Sequence, residues 1–298
     1  MESFLRFSAA EGGRIEVIMK TARMRNLRLF HGLAMVFLLA GAILIIVPLV
    51  WTVCMALKPD SEIYLKSFFP SVPEFGNFKR ALTSIAFTTY LWNTVKILIP
   101  NLIGTVVTSA IVAYGFSRFN FRGKRAWFLI LLATMMLPGQ VTMIPQFLIF
   151  RQLGWVNTIK PLVIPAFFGG GAFNIFLLRQ FMSGIPKDFD EAARIDGASS
   201  LRIFSKVIMP MCKPVLTAVG IFTFMGVWND FNGPLIYLYD SKKFTLALGL
   251  SFFKGLYTSK WNLLMAATLV VMLPILILFF VAQDYIIDGI SISSGTKG

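Results

Sequence analysis

The stretch LFHGLAMVFLLAGAILIIVPLVWTVCMAL, residues 29–57, contains no Asp, Glu, Lys or Arg. A helix needs roughly 20 mostly apolar residues to cross the hydrocarbon core of a bilayer, and this run is longer than that. Five further uncharged runs follow it, at 97–117, 126–150, 161–178, 214–229 and 261–283. The sequence therefore predicts an all-α integral membrane protein with six transmembrane helices. We expect the second helix to extend back towards Tyr90 and the fifth to continue past Asp230 to Tyr239.

The overall composition agrees with lipid as the main solvent of this chain. It is 56% hydrophobic and only 14% charged, whereas about 25% of the residues of a soluble domain are charged. The first apolar run is longer than that of an export signal and ends without an A-x-A-like cleavage site, so we expect it to be retained as a span.

The basic residues predict the orientation of the chain. A net charge of +14 could indicate nucleic-acid binding, but the charges lie mostly before the first span and in loops between spans, so no nucleic-acid partner is expected. The tail 1–29 is basic, and Arg118, Arg122, Lys124 and Arg125 crowd one short loop. Basic segments face the cytoplasm, which places both termini there. We divide the chain into an N-terminal cytoplasmic tail (1–29), a transmembrane domain (30–288) and a C-terminal cytoplasmic tail (289–298).

Catalytic and metal-binding patterns are absent from the sequence. We find no G-x-x-x-x-G-K-[ST] phosphate loop, no H-E-x-x-H and no G-x-S-x-G. The single histidine, His31, has no Cys, carboxylate or second His at metal-ligand spacing. The sequence thus predicts a non-enzymatic protein with no catalytic residue, no metal site and no cofactor of its own.

The segment 183–210, between the fourth and fifth spans, predicts two short helices. Pro186 suits a first helical turn, the acidic residues after it suit the positive end of a helix dipole, and Gly197 can end the helix in the left-handed conformation. Ser199 or Ser200 can cap the second helix. Each helix has a predicted apolar face, formed by Phe189, Ala192 and Ala193 in the first helix and by Leu201, Phe204 and Ile208 in the second.

This segment resembles the EAA loop of ABC importer permeases. The family pattern is E-A-A, three residues, Gly, about nine residues and I-x-L-P, and here EAA stands at 191–193, Gly at 197 and IMP at 208–210, with Met in place of Leu. The resemblance implies that the first helix is a coupling helix that docks in a cleft of an ATPase subunit. The residues implied in that contact are Phe189, Glu191, Ala192, Ala193, Asp196, Gly197 and Ala198. An ordinary amphipathic helix lying on the membrane surface is the alternative interpretation.

Further motifs are similar to those of the carbohydrate-uptake branch, especially the maltose-type second permease. They are NT at 93–94, AYGFSR at 113–118, GVWNDF at 226–231, PLI at 234–236, FTL at 244–246, MAA at 265–267 and LP at 273–274. The dipeptide NG at 232–233 departs from the usual Leu-Trp, and SGT at 294–296 departs from Gly-Ala-Val before Lys297 and Gly298.

The resemblance implies a complete transport complex in a bacterial inner membrane. It would contain this chain, a second homologous permease, two ATP-binding-cassette ATPase subunits that hold ATP and Mg²⁺, and an extracellular solute-binding protein. Lys297 and Gly298 would contact the ATPases, unless the C-terminal tail is only a disordered end. The imported solute would be an oligosaccharide or a related carbohydrate, but the residues do not distinguish neutral oligosaccharides, acidic oligosaccharides and polyol phosphates.

Polar residues inside spans are costly and are candidates for the transport path. They are Gln140, Thr142, Asn174, Asn229 and Asp230. For Asn229 and Asp230, the alternative is a structural role in joining helices or a position near the outer surface. A different class, an ion-gradient-driven secondary transporter or channel, should show several intramembrane charges and repeated halves. Only Lys96 and Asp230 approach the membrane interior, and we see no repeat.

Overall fold

The computed structural model describes residues 31–255 and 259–294. The predicted tail 1–29 lies outside the described residues, and so do Lys297 and Gly298. Within these two ranges the regular structure is helical, with one isolated antiparallel bridge between Lys254 and Ser259 and no strand. The predicted all-α class is confirmed.

The helices differ greatly in length, and several are segments of one interrupted span. In chain order they are α1 (His31–Ala56), α2 (Gly76–Ser84), α3 (Phe87–Arg118), α4 (Lys124–Thr134), α5 (Gly139–Gln152), α6 (Lys160–Val163), α7 (Ala172–Gly184), α8 (Asp188–Ile195), α9 (Ser200–Ile203), α10 (Met209–Met211), α11 (Lys213–Trp228), α12 (Asn232–Tyr237), α13 (Leu246–Leu250) and α14 (Trp261–Ser294). Four stretches can cross a membrane without a sharp bend, and two bent pairs raise the number to six. The second span begins at Phe87, slightly before the predicted extension to Tyr90.

The third predicted span is not one helix. Helices α4 and α5 meet at an angle of 97°. The break falls between Thr134 and Gly139, where Pro138 has an extended backbone with ψ of 132°. Proline disfavours helical geometry in the residue before it and cannot donate a backbone hydrogen bond, so the helix stops there.

The fourth span, Lys160–Gly184, is interrupted by three consecutive glycines. All three, at 169–171, have positive φ, which glycine adopts at low cost. A Cβ atom on Gly170 would lie 2.5 Å from the carbonyl oxygen of Thr105 in α3. The glycines therefore let the chain pass directly against the backbone of α3.

The fifth span is shorter than predicted, and its expected continuation to Tyr239 is wrong. Helix α11 ends at Trp228, and a separate six-residue helix, α12, begins at Asn232. The Asp230 carboxylate accepts a hydrogen bond from the backbone N–H of Gly233 at 3.0 Å. Such local side-chain bonds compete with helix continuation, which explains the break at this point.

Helix α3 is central to the bundle and packs against α7 and α11. Ala110 and Ala113 on α3 are fully buried, and their small side chains allow Leu178 and Met182 of α7 and Val219 of α11 to pack closely. By contrast, the most apolar part of α1 has no buried residue. That surface is therefore available to lipid or to another membrane subunit.

A polar cluster joins three elements at the end of the bundle where α3 begins. The side-chain amides of Asn77 and Asn262 both donate to the carbonyl oxygen of Lys58, at 2.9 and 3.0 Å. Asp60 accepts hydrogen bonds from Arg80 and Asn262, and these two bonds hold the pKa of its carboxyl group below the usual value. The cluster ties the segment after α1 to α2 and to the start of α14.

Candidate coupling hairpin and transport path

The predicted helix pair is present as α8 and α9, which form the α8–α9 hairpin (residues 188–203). Helix α8 begins with acidic residues at the positive end of its dipole. Gly197 follows it with φ of +77°, and the Ser199 hydroxyl oxygen accepts from the backbone N–H of Arg202 to cap α9. The predicted turn and cap are confirmed, and Pro186 lies directly before the cap of α8, near its first turn as predicted. This geometry follows from local sequence alone.

The apolar face predicted on α8 is divided between two sides of the helix. Phe189 is 47% exposed and Ala192 is exposed, whereas Ala193 packs against the core of the bundle together with Ala198. Ile195, which the sequence analysis did not single out, is 87% exposed. The outward apolar face is therefore formed by Phe189, Ala192 and Ile195, and it is flanked by three other exposed residues of the predicted contact, Glu191, Asp196 and Gly197.

The second helix does not present the predicted face. Leu201 is 74% exposed, while Ile203 and Ile208 are fully buried. A π-helical turn at Phe204–Ile208 causes the difference. Because a π-helical turn, with its i→i+5 hydrogen bonds, holds more residues than an α-helical turn, it brings residues 203 and 208 closer to the same side. The expectation that Leu201 shares a face with Ile208 is wrong.

A buried ion pair fastens the α8–α9 hairpin to the end of α3. Arg118 Nε lies 3.0 Å from Asp190 Oδ2, and the two side chains are 4% and 5% exposed. The pair lacks hydrogen-bond geometry, so its attraction is ionic. Arg118 Nη2 also donates to the carbonyl oxygen of Ile185 at 3.1 Å. Removing one partner of such a pair typically costs about 3–5 kcal/mol, because the other charge is left buried.

Sequence reasoning missed this pair. Arg118 was expected to be a loop charge that orients the chain, and Asp190 only to complement the helix dipole. Both side chains lie instead in the interior. The available signal was that Asp190 directly precedes the EAA sequence and that Arg118 ends the AYGFSR motif. Neither observation gives their distance in space.

Aromatic contacts reinforce the same junction. The Tyr114 ring lies 5.0 Å from Phe204 and 5.5 Å from Phe119. Its hydroxyl group donates to the carbonyl oxygen of Ser200 at 3.4 Å. The last turn of α3 therefore contacts both helices of the hairpin, so a displacement of the hairpin has a direct route to the most central helix.

The five predicted path residues are distributed over three regions, and the hydrogen bonds of their side chains are local. Gln140 and Asn229 are exposed, and Thr142 and Asn174 are half-buried. Asn174 and Asn229 each donate to a backbone carbonyl four residues earlier, at 2.7 and 2.9 Å, and Thr142 donates to Gly139. In this conformation none of these hydrogen bonds joins two of the five path side chains.

Asp230 lines a small cavity between the second, fourth and fifth spans. The cavity has a volume of about 30 Å³ and is lined by Thr94, Ile97, Leu162, Val227, Asp230, Pro234 and Thr245. A water molecule needs roughly 10–15 Å³ of such cavity space, so the cavity has room for water but not for a sugar ring. Of the five predicted path residues, only Asp230 is in its lining.

The described residues include no group of three or more His, Cys, Asp or Glu side chains that could hold a metal ion. Neither the exposed α8 face nor the Asp230 cavity is a metal centre within the part of the chain that the structure describes.

Continuous and broken apolar spans, with a polar helical hairpin held at one end, define a multi-pass membrane protein. The profile of the family described as "binding-protein-dependent transport system inner membrane component" matches residues 105–292. The chain belongs to this family, so it is a non-catalytic, multi-pass inner-membrane permease subunit of an ABC importer.

Individual relatives agree with the family match. The probable ABC transporter permease protein YurM of Bacillus subtilis is 34% identical over 264 residues, which cover 88% of this chain and 87% of that relative. The arabinooligosaccharides transport system permease protein AraQ of Halalkalibacterium halodurans is 31% identical over 262 residues, 86% of this chain and 93% of AraQ. A chain of a bacterial ABC transporter involved in the import of the acidic polysaccharide alginate has a similar structure, with a TM-score of 0.77 and 26% identity over 87% of this chain and 97% of that chain. The predicted family is confirmed, in preference to the ion-gradient-driven alternative.

Proposed function

We propose that this permease imports an oligosaccharide and that α8 is the element through which partner ATPases move its spans. The proposed complex contains this chain, a second permease, two ATPase subunits that bind ATP and Mg²⁺, and an extracellular solute-binding protein. The names of relatives such as AraQ support an oligosaccharide as the solute.

One observation carries the coupling role: α8 is exposed on one side and buried on the other. Its outward face offers Phe189, Ala192 and Ile195, a small apolar surface of the kind that fits a groove in another protein. Its inward face holds Asp190 in the buried ion pair with Arg118. An ordinary surface helix would need no buried charge pair, so this arrangement favours force transmission over simple adsorption to lipid.

The packing of α3 explains how a displacement of the hairpin would reach the other spans. When ATP closes the ATPase dimer, a rigid hairpin held in its cleft moves with it. Packed helices shift as units between discrete arrangements, and the junction at Arg118 and Tyr114 passes the displacement to α3. Since α3 packs against both α7 and α11, the motion reaches the walls of the path. The cavity at Asp230 would then open alternately to the two sides of the membrane.

The proposed orientation places the α8–α9 hairpin in the cytoplasm. It lies at the end of α3 where Arg122, Lys124 and Arg125 also stand, and an excess of basic residues marks the cytoplasmic side. The polar cluster around Lys58 would face outward, where a solute-binding protein docks. Both termini are then cytoplasmic, and Lys297 and Gly298 would reach the ATPases.

The proposed path runs past Gln140, Thr142, Asn174, Asn229 and Asp230. Hydroxyl-rich sugars are matched by amide, hydroxyl and carboxylate groups that can exchange hydrogen bonds with them. Asp230 is the strongest of these candidates because it already lines a cavity between spans. We expect the other four to contribute when the cavity widens.

The test of the coupling role is a Phe189→Ser variant, compared with Phe69→Ser. Both changes remove an exposed phenyl ring, but Phe69 lies near the polar cluster at the other end of the bundle. An aromatic anchor at a protein interface often contributes about 2 kcal/mol, so Phe189→Ser should lower recovery of co-purified ATPase subunits by about tenfold or more. Phe69→Ser should leave that recovery unchanged. Equal recovery in both variants would count against α8 as the docking element.

A further inference from the structure

A pocket with a strongly basic lining lies where α3 ends and α4 begins, beside α7. Its volume is about 240 Å³, and it is lined by Phe116, Lys124, Arg125, Phe128 and Arg179, which we call the basic pocket. We propose that the basic pocket binds the phosphate of an anionic phospholipid from the cytoplasmic leaflet. The choice of the cytoplasmic leaflet rests on the orientation in the proposed function. The choice of an anionic headgroup rests only on the residues of the pocket.

The cations of the basic pocket have no acidic counterpart among the described residues. No carboxylate is in its lining, and none of its three cations forms an ion pair with a described residue. Lys124, Arg125 and Arg179 line the same space, so their positive charges lie close together. Like charges held together repel one another, so an anion in this space would stabilise the arrangement.

Two of these side chains have donors available for an anion. Arg179 Nη1 donates to Gln180 Oε1 at 2.8 Å, but its Nε is buried and has no hydrogen-bond partner in the described structure. Lys124 Nζ donates to the carbonyl oxygen of Phe119 at 2.8 Å and has further N–H groups. Buried donors are nearly always paired, and a guanidinium group matches phosphate oxygens in geometry as well as charge.

The aromatic residues hold the guanidinium group in position. The Arg179 guanidinium carbon lies 4.4 Å from the centre of the Phe128 ring, which favours a stacked cation. Phe128 in turn contacts Phe116, with ring centres 5.5 Å apart. These rings form an apolar wall beside the charges, which suits the phosphate of a lipid with its attached glycerol and acyl chains.

The location favours a membrane lipid over dissolved phosphate. The basic pocket lies at the ends of two spans, and the neighbouring Trp127, Leu129 and Ile130 are all more than half exposed on α4. Tryptophan is enriched at the membrane–water interface, where lipid phosphates are concentrated. Basic pockets between spans on the cytoplasmic side are known sites for anionic headgroups.

The experiment titrates the purified full chain in non-ionic detergent with phosphatidylglycerol, with phosphatidylcholine and with inorganic phosphate, and follows binding by native mass spectrometry. We expect phosphatidylglycerol to bind at least about tenfold more tightly than phosphatidylcholine, because two or more cations contribute. Arg179→Gln and Lys124→Gln should each weaken phosphatidylglycerol binding about fivefold. Equal binding of the two lipids, or unchanged binding in both variants, would overturn the proposal.

Controls separate the basic pocket from general charge effects and from misfolding. Arg202→Gln and Lys206→Gln remove exposed charges at the same end of the bundle, and they should retain full phosphatidylglycerol binding. Arg125→Gln alters an exposed side chain of the pocket, so it should weaken binding without disturbing the fold. Loss of binding in the two controls as well would overturn the specific site.

Two further outcomes also decide the proposal. Displacement of phosphatidylglycerol by an equal concentration of inorganic phosphate would assign the site to a soluble anion and overturn the lipid. Loss of the lipid preference when the chain is purified with its partner subunits would identify the pocket as a subunit contact, which also overturns it. Because lipid binding and ATPase recovery are measured separately, failure of this inference is distinguishable from failure of the proposed function.

Discussion

Replacing Asp190 by asparagine should separate ATP hydrolysis from transport. The change leaves the Arg118 guanidinium group without its counter-charge while its side chain is only 4% exposed. Breaking a buried pair in this way costs about 3–5 kcal/mol. Arg118 keeps its hydrogen bond to the Ile185 carbonyl oxygen, so we expect the attachment of the hairpin to lose a free energy near the lower end of that range, about 3 kcal/mol. That loss changes the equilibrium between attached and detached hairpin roughly a hundredfold.

The assay is solute uptake per ATP hydrolysed in proteoliposomes that contain the complete complex. In Asp190→Asn the outward face of α8 is intact, so the ATPase subunits should still be recovered with the chain. Uptake per ATP should fall about tenfold or more, because a detached hairpin moves without α3. The apparent melting temperature of the purified chain should fall as well.

A double variant, Arg118→Met with Asp190→Leu, provides the matched control. It removes both charges, and replacing a buried pair by apolar side chains of similar size is often neutral for stability. The melting temperature should therefore return close to that of the unmodified chain, and uptake per ATP should recover with it, because the hairpin is again attached to α3. Normal uptake per ATP in Asp190→Asn would refute the reasoning. A double variant as unstable as the single one would refute the assignment of the cost to an unpaired charge.

Three further predictions concern single positions. Gly170→Ala should destabilise the chain by roughly 2–4 kcal/mol, because a Cβ there meets the backbone of α3 at positive φ, and a lower apparent melting temperature would show it. Gly197→Val should reduce ATPase stimulation and uptake, since a β-branched residue at φ of +77° strains the turn after α8 by about 1–2 kcal/mol. Asp60→Asn should flatten the decline of melting temperature as the pH falls below about 4. Because the folded pKa of Asp60 is lowered, its carboxylate contributes stability above the unfolded pKa of about 3.9, and that contribution is lost as the pH falls through the folded pKa.

Each of these three predictions has a control or a limit. Gly220→Ala adds a methyl group where nothing lies within 4 Å, so it should not lower stability. Gly184→Val, likewise in open space and without a positive φ, should leave ATPase stimulation unchanged. The effect of Asp60→Asn should be small because the carboxylate side chain is 57% exposed. An unchanged melting temperature in Gly170→Ala, normal stimulation in Gly197→Val, or an unaltered pH profile in Asp60→Asn would contradict the corresponding argument.

The amino-acid sequence by itself determined which parts of this chain enter the membrane. Six uncharged runs exceed or approach the length that a bilayer requires, and lipid leaves a backbone few alternatives to helix. It also determined the turn between α8 and α9, because Gly197 and Ser199 act on backbone groups within a few residues of themselves. Both results depend on interactions between residues that are close in sequence, so the order of the residues is enough to predict them.

Only the tertiary structure decided how these pieces work together. The pairing of Arg118 with Asp190, the close passage of Gly170 against α3 and the burial of Ile203 in the core depend on contacts between segments far apart in sequence. The break between α4 and α5 starts from the local Pro138, but its angle of 97° was not predictable from the sequence. A proline or glycine in the sequence permits a bend, but the packing of neighbouring helices sets its angle. A charge permits an ion pair, but burial by the surrounding helices selects its partner and gives the pair its strength.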